Sequence, residues 1–97
     1  MVEGELLLKR LLSSDAKAEL LTLFRANPGL VDGIDGVARR IGRTRASVEP
    51  EVEDLKRLGI LSKRQVGKIE VLFLDRQKDA EVQKAVERYL SKVGRSF

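Results

Sequence analysis

The sequence predicts a mainly helical α+β domain that contains one small β-hairpin. Three features support this fold class: two short apolar stripes of helical spacing joined by a tight turn over residues 35–61, two strand-like runs directly after them, and an amphipathic stripe near the C-terminus. Ninety-seven residues, 42% of them hydrophobic, suit one small core, and no internal repeat or linker divides the chain. We therefore expect residues 1–97 to form a single domain.

Two helices are expected before the central stripes. Residues 5–12 are so rich in leucine that a short helix there must pack on another element rather than face water. Residues 16–26 predict a second helix, for which the Ser-Ser-Asp run at 13–15 supplies capping side chains. Asn-Pro-Gly at 27–29 ends it, and residues 30–33 predict a very short strand.

Residues 35–61 have the pattern of a helix-turn-helix. Val37 and Ile41 lie on one face of a short helix, which Asp35 is expected to cap. Gly42 is expected to end it, because a residue just past a helix often needs a left-handed backbone. This motif makes duplex DNA the first partner to consider.

The second helix of the motif contains a proline. Pro50 cannot donate to the carbonyl four residues earlier, and its ring clashes there if the helix begins beyond a cap at Thr44. We therefore expect the regular helix to begin at Pro50, with residues 44–48 as a separate turn, and Gly59 to end it. The apolar stripe that packs it on the first helix comprises Val48, Val52, Leu55 and Leu58.

A β-hairpin is expected after this helix. Residues 60–64 and 69–74 are rich in β-branched and other apolar side chains, and they flank a turn that contains Gly67. Its tip is expected to project three cations, Lys63, Arg64 and Lys68.

A final amphipathic helix is predicted over residues 79–93. Its apolar positions, Val82, Val86, Leu90 and Val93, recur every three or four residues, and charged side chains lie opposite them.

The central part of the sequence resembles the winged helix-turn-helix of prokaryotic transcriptional regulators of the MarR and ArsR type. The resemblance is carried by the run VARRIG, a turn, a second helix and the Leu-Gly-Ile that ends it. They also resemble the winged-helix modules that accompany nucleotidyltransferases. The resemblance covers residues 11–74. It implies a second helix that enters the major groove of DNA and a hairpin, the wing, that touches flanking phosphates.

In such regulators, terminal helices of this kind pair two subunits, so the resemblance implies a homodimer joined through residues 5–12 and 79–93. The alternative is that both stripes pack in the core of a single chain. For a chain this small a dimer is favoured. The candidate interface residues are Leu7, Leu11, Val82, Val86, Tyr89, Leu90 and Val93.

Four arginines lie between Gly36 and Val48, and no acidic residue interrupts them. The planar guanidinium suits phosphate oxygens and guanine edges, although such a cluster can also be a solvated helix face. The cations of the hairpin tip can likewise be interpreted in two ways, as contacts to phosphate or as charges that only keep the hairpin soluble. The candidate DNA-binding residues are Arg39, Arg40, Arg43, Thr44, Arg45, Ser47, Lys63, Arg64 and Lys68.

The acidic run Glu49-Pro50-Glu51, followed by Glu53 and Asp54, departs from the polar or basic pattern of these regulators. Phosphates repel carboxylates, yet a Glu can accept a hydrogen bond from the amino group of cytosine. Two outcomes stay open. Either the arginines meet the groove while the acids face aside, or the acidic face repels DNA and the module binds a protein.

Composition excludes several classes of function. There is no Cys and no His, so disulfides, thiolate chemistry, imidazole bases and the usual zinc ligands are absent, and we expect no catalytic residue, metal or cofactor. No segment is apolar enough to be a signal peptide or a membrane span, and a cytoplasmic protein is expected. The net charge of +4 favours an anionic partner.

The sequence therefore predicts sequence-specific binding of double-stranded DNA by a homodimeric transcriptional regulator. The alternative is a winged-helix protein-protein interaction module without DNA binding. A small-molecule effector, the operator and the sign of regulation are left open.

Overall fold

A computed structural model describes residues 3–94 of the chain. These residues form a mostly helical fold with one small antiparallel sheet, which confirms the mainly α prediction with its hairpin. In chain order the elements are α1 (Glu3–Leu11), α2 (Asp15–Ala26), β1 (Val31–Asp32), α3 (Ile34–Arg40), α4 (Arg45–Arg57), β2 (Leu61–Val66), β3 (Ile69–Leu74) and α5 (Arg76–Gly94).

The start of α2 is fixed by the predicted serine cap. The backbone N–H of Lys17 donates to Ser14 Oγ at 3.0 Å, so one of the unpaired N–H groups of the first turn is satisfied. Helix α1 begins two residues earlier than expected and ends at Leu11, which leaves Leu12 outside it and 67% exposed.

Helices α3 and α4 end as the glycines predict. Gly42 and Gly59 have φ angles of +68° and +80°. After α4, Ile60 N donates to Leu55 O and Gly59 N to Lys56 O, which satisfies two carbonyls of the last turn. The predicted cap at Asp35 is wrong: the N-cap position is Gly33, and Asp35 lies within the first turn of α3.

The expected break before Pro50 is also wrong. Helix α4 runs without interruption from Arg45, and Thr44 caps it by accepting from Ser47 N at 3.2 Å. Pro50 therefore removes a single helical hydrogen bond, the one to the carbonyl of Ala46. Ala46 and Pro50 are both exposed, so water can satisfy that carbonyl and the loss is tolerated.

The sheet has the order β1-β3-β2, and both pairings are antiparallel. Val31 pairs with Phe73, which confirms the short strand expected at residues 30–33. Strand β2 extends two residues beyond the prediction, because Val66 pairs with Ile69, so the turn is Gly67-Lys68 alone. Lys63 and Arg64 consequently lie within a strand and not at the tip.

The core is formed where α2, α3 and α4 meet the sheet and α5. Phe24, Val37 and Leu72 are buried at this junction. The apolar stripe predicted for the second helix of the motif is buried throughout. Its position fixes the angle of α4 against α3 and leaves the opposite face of α4 exposed.

Helix α5 begins at Arg76, three residues before the prediction, and packs along α1. Asp79, at its first inward position, is buried and accepts from Arg25 Nη2 at 2.7 Å, which ties α5 to α2. A Cβ added to Gly4 of α1 would overlap the carbonyl oxygen of Ala85, so the two helices are in close contact there. Within residues 3–94, no helix combines the length and apolarity that crossing a membrane requires.

Candidate functional site

Helix α4 presents one continuous exposed face. Residues at positions i, i+3, i+4, i+7 and i+11 of a helix lie on the same side, and here they are opposite the buried stripe. All five are exposed in the structure. They are Ala46, Glu49, Pro50, Glu53 and Arg57.

Two of the four acids of α4 do not belong to this face. Glu51 and Asp54 lie on the side toward α2, where they flank the ammonium of Lys17, whose side chain is only 4% exposed. Lys17 Nζ lies 2.5 Å from Asp54 Oδ2 and 3.6 Å from Glu51 Oε2, and Arg10 Nη2 lies 2.6 Å from Asp54 Oδ1. These acids compensate a buried charge and lie off the exposed face of α4.

The ammonium of Lys17 is fully satisfied. Besides Asp54, it donates to the carbonyl of Arg10 at 2.9 Å and to Ser13 Oγ at 2.8 Å, which occupies its three protons. Donation by Lys17 holds the pKa of Asp54 below its ordinary value, and Arg10 acts in the same direction. The cluster joins α1, α2 and α4 at one point.

The other side of α4 borders a cleft of about 730 Å³, which lies between the start of α3, α4 and the hairpin. Glu49 and Glu53 line it, so it is continuous with the exposed face of α4. Five carboxylates and three cations line the cleft, and it is therefore acidic on balance. They are Asp32, Asp35, Glu49, Glu53, Glu70, Arg39, Arg45 and Lys68.

The predicted arginine cluster is divided among different surfaces. Arg40 Nε lies 3.2 Å from Asp32 Oδ2 beside β1, whereas Arg43 pairs with Glu19 on α2. The hydrogen bond from Arg43 to Glu19 raises the pKa of that guanidinium. The arginines are uninterrupted by acids along the chain, but acids from other elements reach them in space.

Arg45 and Arg39 remain beside the exposed face of α4. Arg45 Nη1 lies 3.1 Å from Asp35 Oδ2, and its Nε lies 3.4 Å from Glu49 Oε2. Arg39 makes no ion pair with residues 3–94 and lines the cleft with Arg45. Of the four arginines, Arg39 is therefore the one whose charge is fully available.

Thr44 and Ser47 are occupied with the backbone of α4. Thr44 Oγ1 accepts from Ser47 N, and Ser47 Oγ donates to the carbonyl of Thr44 at 2.9 Å. Both residues were expected to contact DNA. In this geometry their first role is to fix where α4 begins.

The three hairpin cations point in different directions. Lys63 and Arg64 are consecutive in β2, so their side chains leave opposite faces of the sheet. Lys63 lies 3.7 Å from Glu70, and the guanidinium of Arg64 lies over the ring of Phe73, 5.3 Å from its centroid. Of the three cations, only Lys68 lies in the turn, where it lines the cleft and makes no ion pair with the described residues.

The candidate interface residues also separate into groups. Leu11 and Val82 are 6% and 4% exposed within a single chain and belong to its core, so little of their surface is left for contact with a second copy. Leu7 and Val86 pack against that core and are partly buried. Tyr89 and Val93 are half-buried, and Leu90 is 49% exposed.

Ala46, Arg57 and Lys17 were not among the residues predicted from the sequence. Ala46 was missed because the helix was expected to begin at Pro50, which removes it from the helical face, whereas Arg57 lay within the expected helix and was not assigned to a face. Counting helical positions from the Thr44 cap would have placed both on the exposed face of α4. The burial of Lys17 has no local signal, because its partners lie 37 and 34 positions along the chain.

No family model and no curated protein sequence matches the chain. Among solved structures it is similar to a possible transcriptional regulator from Methanosarcina mazei Go1, with a TM-score of 0.65 and 18% identity over 95% of this chain and 83% of that one. It is also similar to a possible transcriptional regulator for arsenical resistance, with a TM-score of 0.64 and 15% identity over 89% of this chain and 94% of that one. At these identities the likeness shows a shared fold.

Proposed function

We propose that the chain is a winged helix-turn-helix transcriptional regulator that binds double-stranded DNA in a sequence-specific manner as a homodimer. In this reading residues 1–97 form one winged-helix domain, α3 and α4 form the helix-turn-helix, and β2 and β3 form the wing. The observation that carries the proposal is the exposed face of α4, a helical surface held by a buried stripe and bordered by the hairpin.

The way α4 is held supports this role. Its N-terminus is capped at Thr44, its C-terminus ends at Gly59, and its stripe is buried against α2 and α3. A helix whose ends and angle are fixed in this manner can present side chains to the major groove without rearranging.

The charges support phosphate contact at the edges of this surface. Arg39 and Lys68 make no ion pair with residues 3–94, and both line the cleft beside α4. We propose that they contact phosphates, with Arg45, Arg40 and Arg43 released from their ion pairs only where the backbone approaches. The DNA-binding role of Thr44, Ser47, Lys63 and Arg64 is proposed as a set of secondary contacts, with Arg64 on the opposite face of the hairpin from Lys63.

The two structures of similar fold support a regulatory role, because both are described as possible transcriptional regulators. Proteins of that kind act by occupying DNA, and occupancy needs no catalytic residue. We accordingly propose no catalytic site and no cofactor.

For the homodimer, the supporting feature is the apolar surface left exposed on α1, just beyond its end and on α5. Leu6, Leu12 and Leu90 are 47%, 67% and 49% exposed, and Tyr89 and Val93 are half-buried beside Leu90. Burial of these side chains between two copies would remove apolar area from water. Two copies would present two α4 helices to successive major grooves.

The acidic balance of the cleft favours a second candidate, a protein-interaction module. Five carboxylates beside α4 would attract a basic peptide and repel phosphates. The two candidates differ in their response to salt and to DNA, so one set of experiments separates them.

The first test is binding of the chain to a mixed-sequence DNA duplex across a salt series, with its mass in solution measured alongside. The proposal predicts binding by a dimer that weakens steeply with salt, because condensed counterions are released from each contacted phosphate. Absence of binding at low salt would contradict the proposal and favour the protein-interaction module.

The second test replaces the two unpaired cations, Arg39→Gln with Lys68→Gln. If both contact phosphates, the slope of log K against log salt should fall by about two units per subunit. The matched control is Lys84→Gln with Arg88→Gln on the exposed side of α5. It removes the same number of positive charges and should change the salt slope by less. Equal effects of the two pairs would show that net charge alone matters. Charge changes at Arg43 or Arg45 are less suitable, since they also break ion pairs within the fold.

A further inference from the structure

We propose that the exposed face of α4 reads a pyrimidine-rich strand in the major groove, with Ala46 and Pro50 against thymine methyl groups and Glu49 and Glu53 accepting from cytosine amino groups. The inference rests on the proposed DNA binding and goes beyond it, because it names the bases that this surface would select.

The spacing of the four residues fits base readout. They occupy positions i, i+3, i+4 and i+7, so they form one stripe on α4. With a rise of 1.5 Å per residue, the stripe is about 10 Å long, which corresponds to about three base pairs. One recognition helix normally contacts that many base pairs with three or four side chains.

The face offers acceptors and apolar groups but almost no donors. Glu49 and Glu53 are acceptors when ionised, and Pro50 leaves the carbonyl of Ala46 without its helical donor. The Cβ of Ala46 and the ring of Pro50 are apolar and exposed. Among major-groove edges, thymine presents a methyl group and cytosine presents an amino donor, so both complement this surface.

Guanine does not complement it. Its major-groove edge carries two acceptors, N7 and O6, which are normally read by the donors of Arg or Lys. On this face the donor is Arg57, at the C-terminal end and one turn beyond Glu53. A guanine opposite the centre of the stripe would therefore face only acceptors and apolar groups.

The two carboxylates keep acceptor capacity while their charge is balanced. Lys56 Nζ lies 3.0 Å from Glu53 Oε1, and this hydrogen bond lowers the pKa of Glu53. Arg45 Nε lies 3.4 Å from Glu49 Oε2. Each ion pair reduces the repulsion between the carboxylate and DNA phosphates. A carboxylate has about four lone-pair sites, and one is used by the ion pair here, so the others remain able to accept a hydrogen bond.

The experiment begins with selection of bound duplexes from a pool with a randomised central segment. The inference predicts enrichment of three-base-pair cores in which one strand contains thymine and cytosine. Thymine is then replaced by uracil, which removes the methyl group and keeps every hydrogen-bonding edge. Each replaced thymine in the core should weaken binding about three- to fivefold, the value of one buried methyl-sized group.

A specificity change tests the carboxylate directly. Gln can donate and accept, which suits adenine, so Glu53→Gln should shift the ratio of binding to adenine and cytosine duplexes by at least about fivefold. The control Glu87→Gln on α5 removes the same charge away from α4 and should leave that ratio unchanged. Loss of a negative charge can raise the affinity for every duplex equally, and such a gain cancels in the ratio of the two affinities.

The outcomes separate the two proposals. Absence of binding to the pool at low salt overturns DNA binding, and the base assignment with it. Binding in which uracil is as good as thymine, or in which neither strand of the enriched cores combines thymine with cytosine, overturns the base assignment and leaves DNA binding intact. Loss of affinity with uracil together with the shift in Glu53→Gln supports both.

Discussion

At the scale of single residues, Lys17 decides how α4 can be used. A buried ammonium requires nearby anions, and the anions it recruits are two of the four acids of α4. This removes half of the negative charge that the sequence places after Val48 from the exposed face. The conflict between an acidic recognition helix and a DNA target is thereby reduced, although Glu49 and Glu53 remain.

Replacing Lys17 by Met should lower the free energy of unfolding by about 2–3 kcal/mol, since Asp54 and Glu51 would lose their buried partner while Arg10 still compensates part of the charge. Urea denaturation monitored by circular dichroism measures this. The control Lys84→Met, at an exposed position of α5, should change stability by less than about 0.5 kcal/mol. A Lys17→Met protein as stable as the wild type would mean that the cluster is energetically neutral.

The same cluster predicts an acid-sensitive contribution to stability. Donation from Lys17 lowers the pKa of Asp54 in the folded state from its ordinary value of 3.8, so the unfolded chain takes up a proton first as the pH falls. This contribution is present above about pH 5 and is lost as the pH falls through 3.8 toward the lowered pKa.

Asp54→Asn should therefore flatten the decline in unfolding free energy below about pH 5, besides lowering stability at neutral pH. Urea titrations at a series of pH values compare the slopes. Glu87→Gln, which removes an exposed carboxylate on α5, is the control and should keep the slope of the wild type. An Asp54→Asn slope equal to that of the wild type would show that this carboxylate is not linked to folding.

At the scale of the elements, the effect of Pro50 on α4 was predicted wrongly from the sequence. Local chemistry argues against a proline in the sixth position of a helix, but three buried side chains, one before it and two after it, hold α4 in place. They are Val48, Val52 and Leu55. Tertiary packing overrides the local penalty, and the penalty is moderate because Ala46, whose carbonyl loses its donor, is exposed.

Pro50→Ala should therefore raise the free energy of unfolding by about 1–2 kcal/mol, because it restores one helical hydrogen bond. The gain is partly offset because the unfolded chain has more conformational freedom without the proline. Thermal and urea denaturation measure the change. Pro28→Ala, in the segment between α2 and β1, restores no helical bond and should not stabilise the chain. A loss of stability in Pro50→Ala would indicate that the ring itself makes a favourable contact.

Sequence reasoning succeeded where the signal is local and failed where it is not. The glycines at 42 and 59, the Ser14 cap and the buried stripe of α4 follow from neighbouring residues, and all were predicted. The ion pairs of Arg40 and Arg43 depend on acids of β1 and α2, so a cluster that is basic along the chain is partly neutral in space. No periodicity within residues 35–61 could have shown this.

At the scale of the whole molecule, the large apolar side chains left exposed fall into two groups, Leu6, Leu12 and Leu90 on or beside α1 and α5, and Val31, Val66 and Ile69 on the sheet. Leu11 and Val82, expected to join two subunits, are needed inside one. What α1 and α5 leave for a partner copy is narrower than the sequence suggested: the exposed part of Leu90, with Tyr89 and Val93 beside it, Leu6 of α1, and Leu12 beyond the end of α1.

The proposed homodimer therefore depends on few side chains, and one charge should disrupt it. Leu90→Asp would place a carboxylate in the interface, where burial without a partner is costly, so the measured mass should fall from dimer to monomer. Sedimentation or light scattering at micromolar concentration measures this, and the same sample should bind a two-half-site duplex more weakly than the wild type. Ile69→Asp is the control, since Ile69 is 61% exposed on the hairpin and a charge there should leave the mass unchanged. A Leu90→Asp chain that remains dimeric would remove Leu90 from the interface. A wild-type chain that is monomeric would overturn the homodimer, and a single α4 would then have to supply all base contacts.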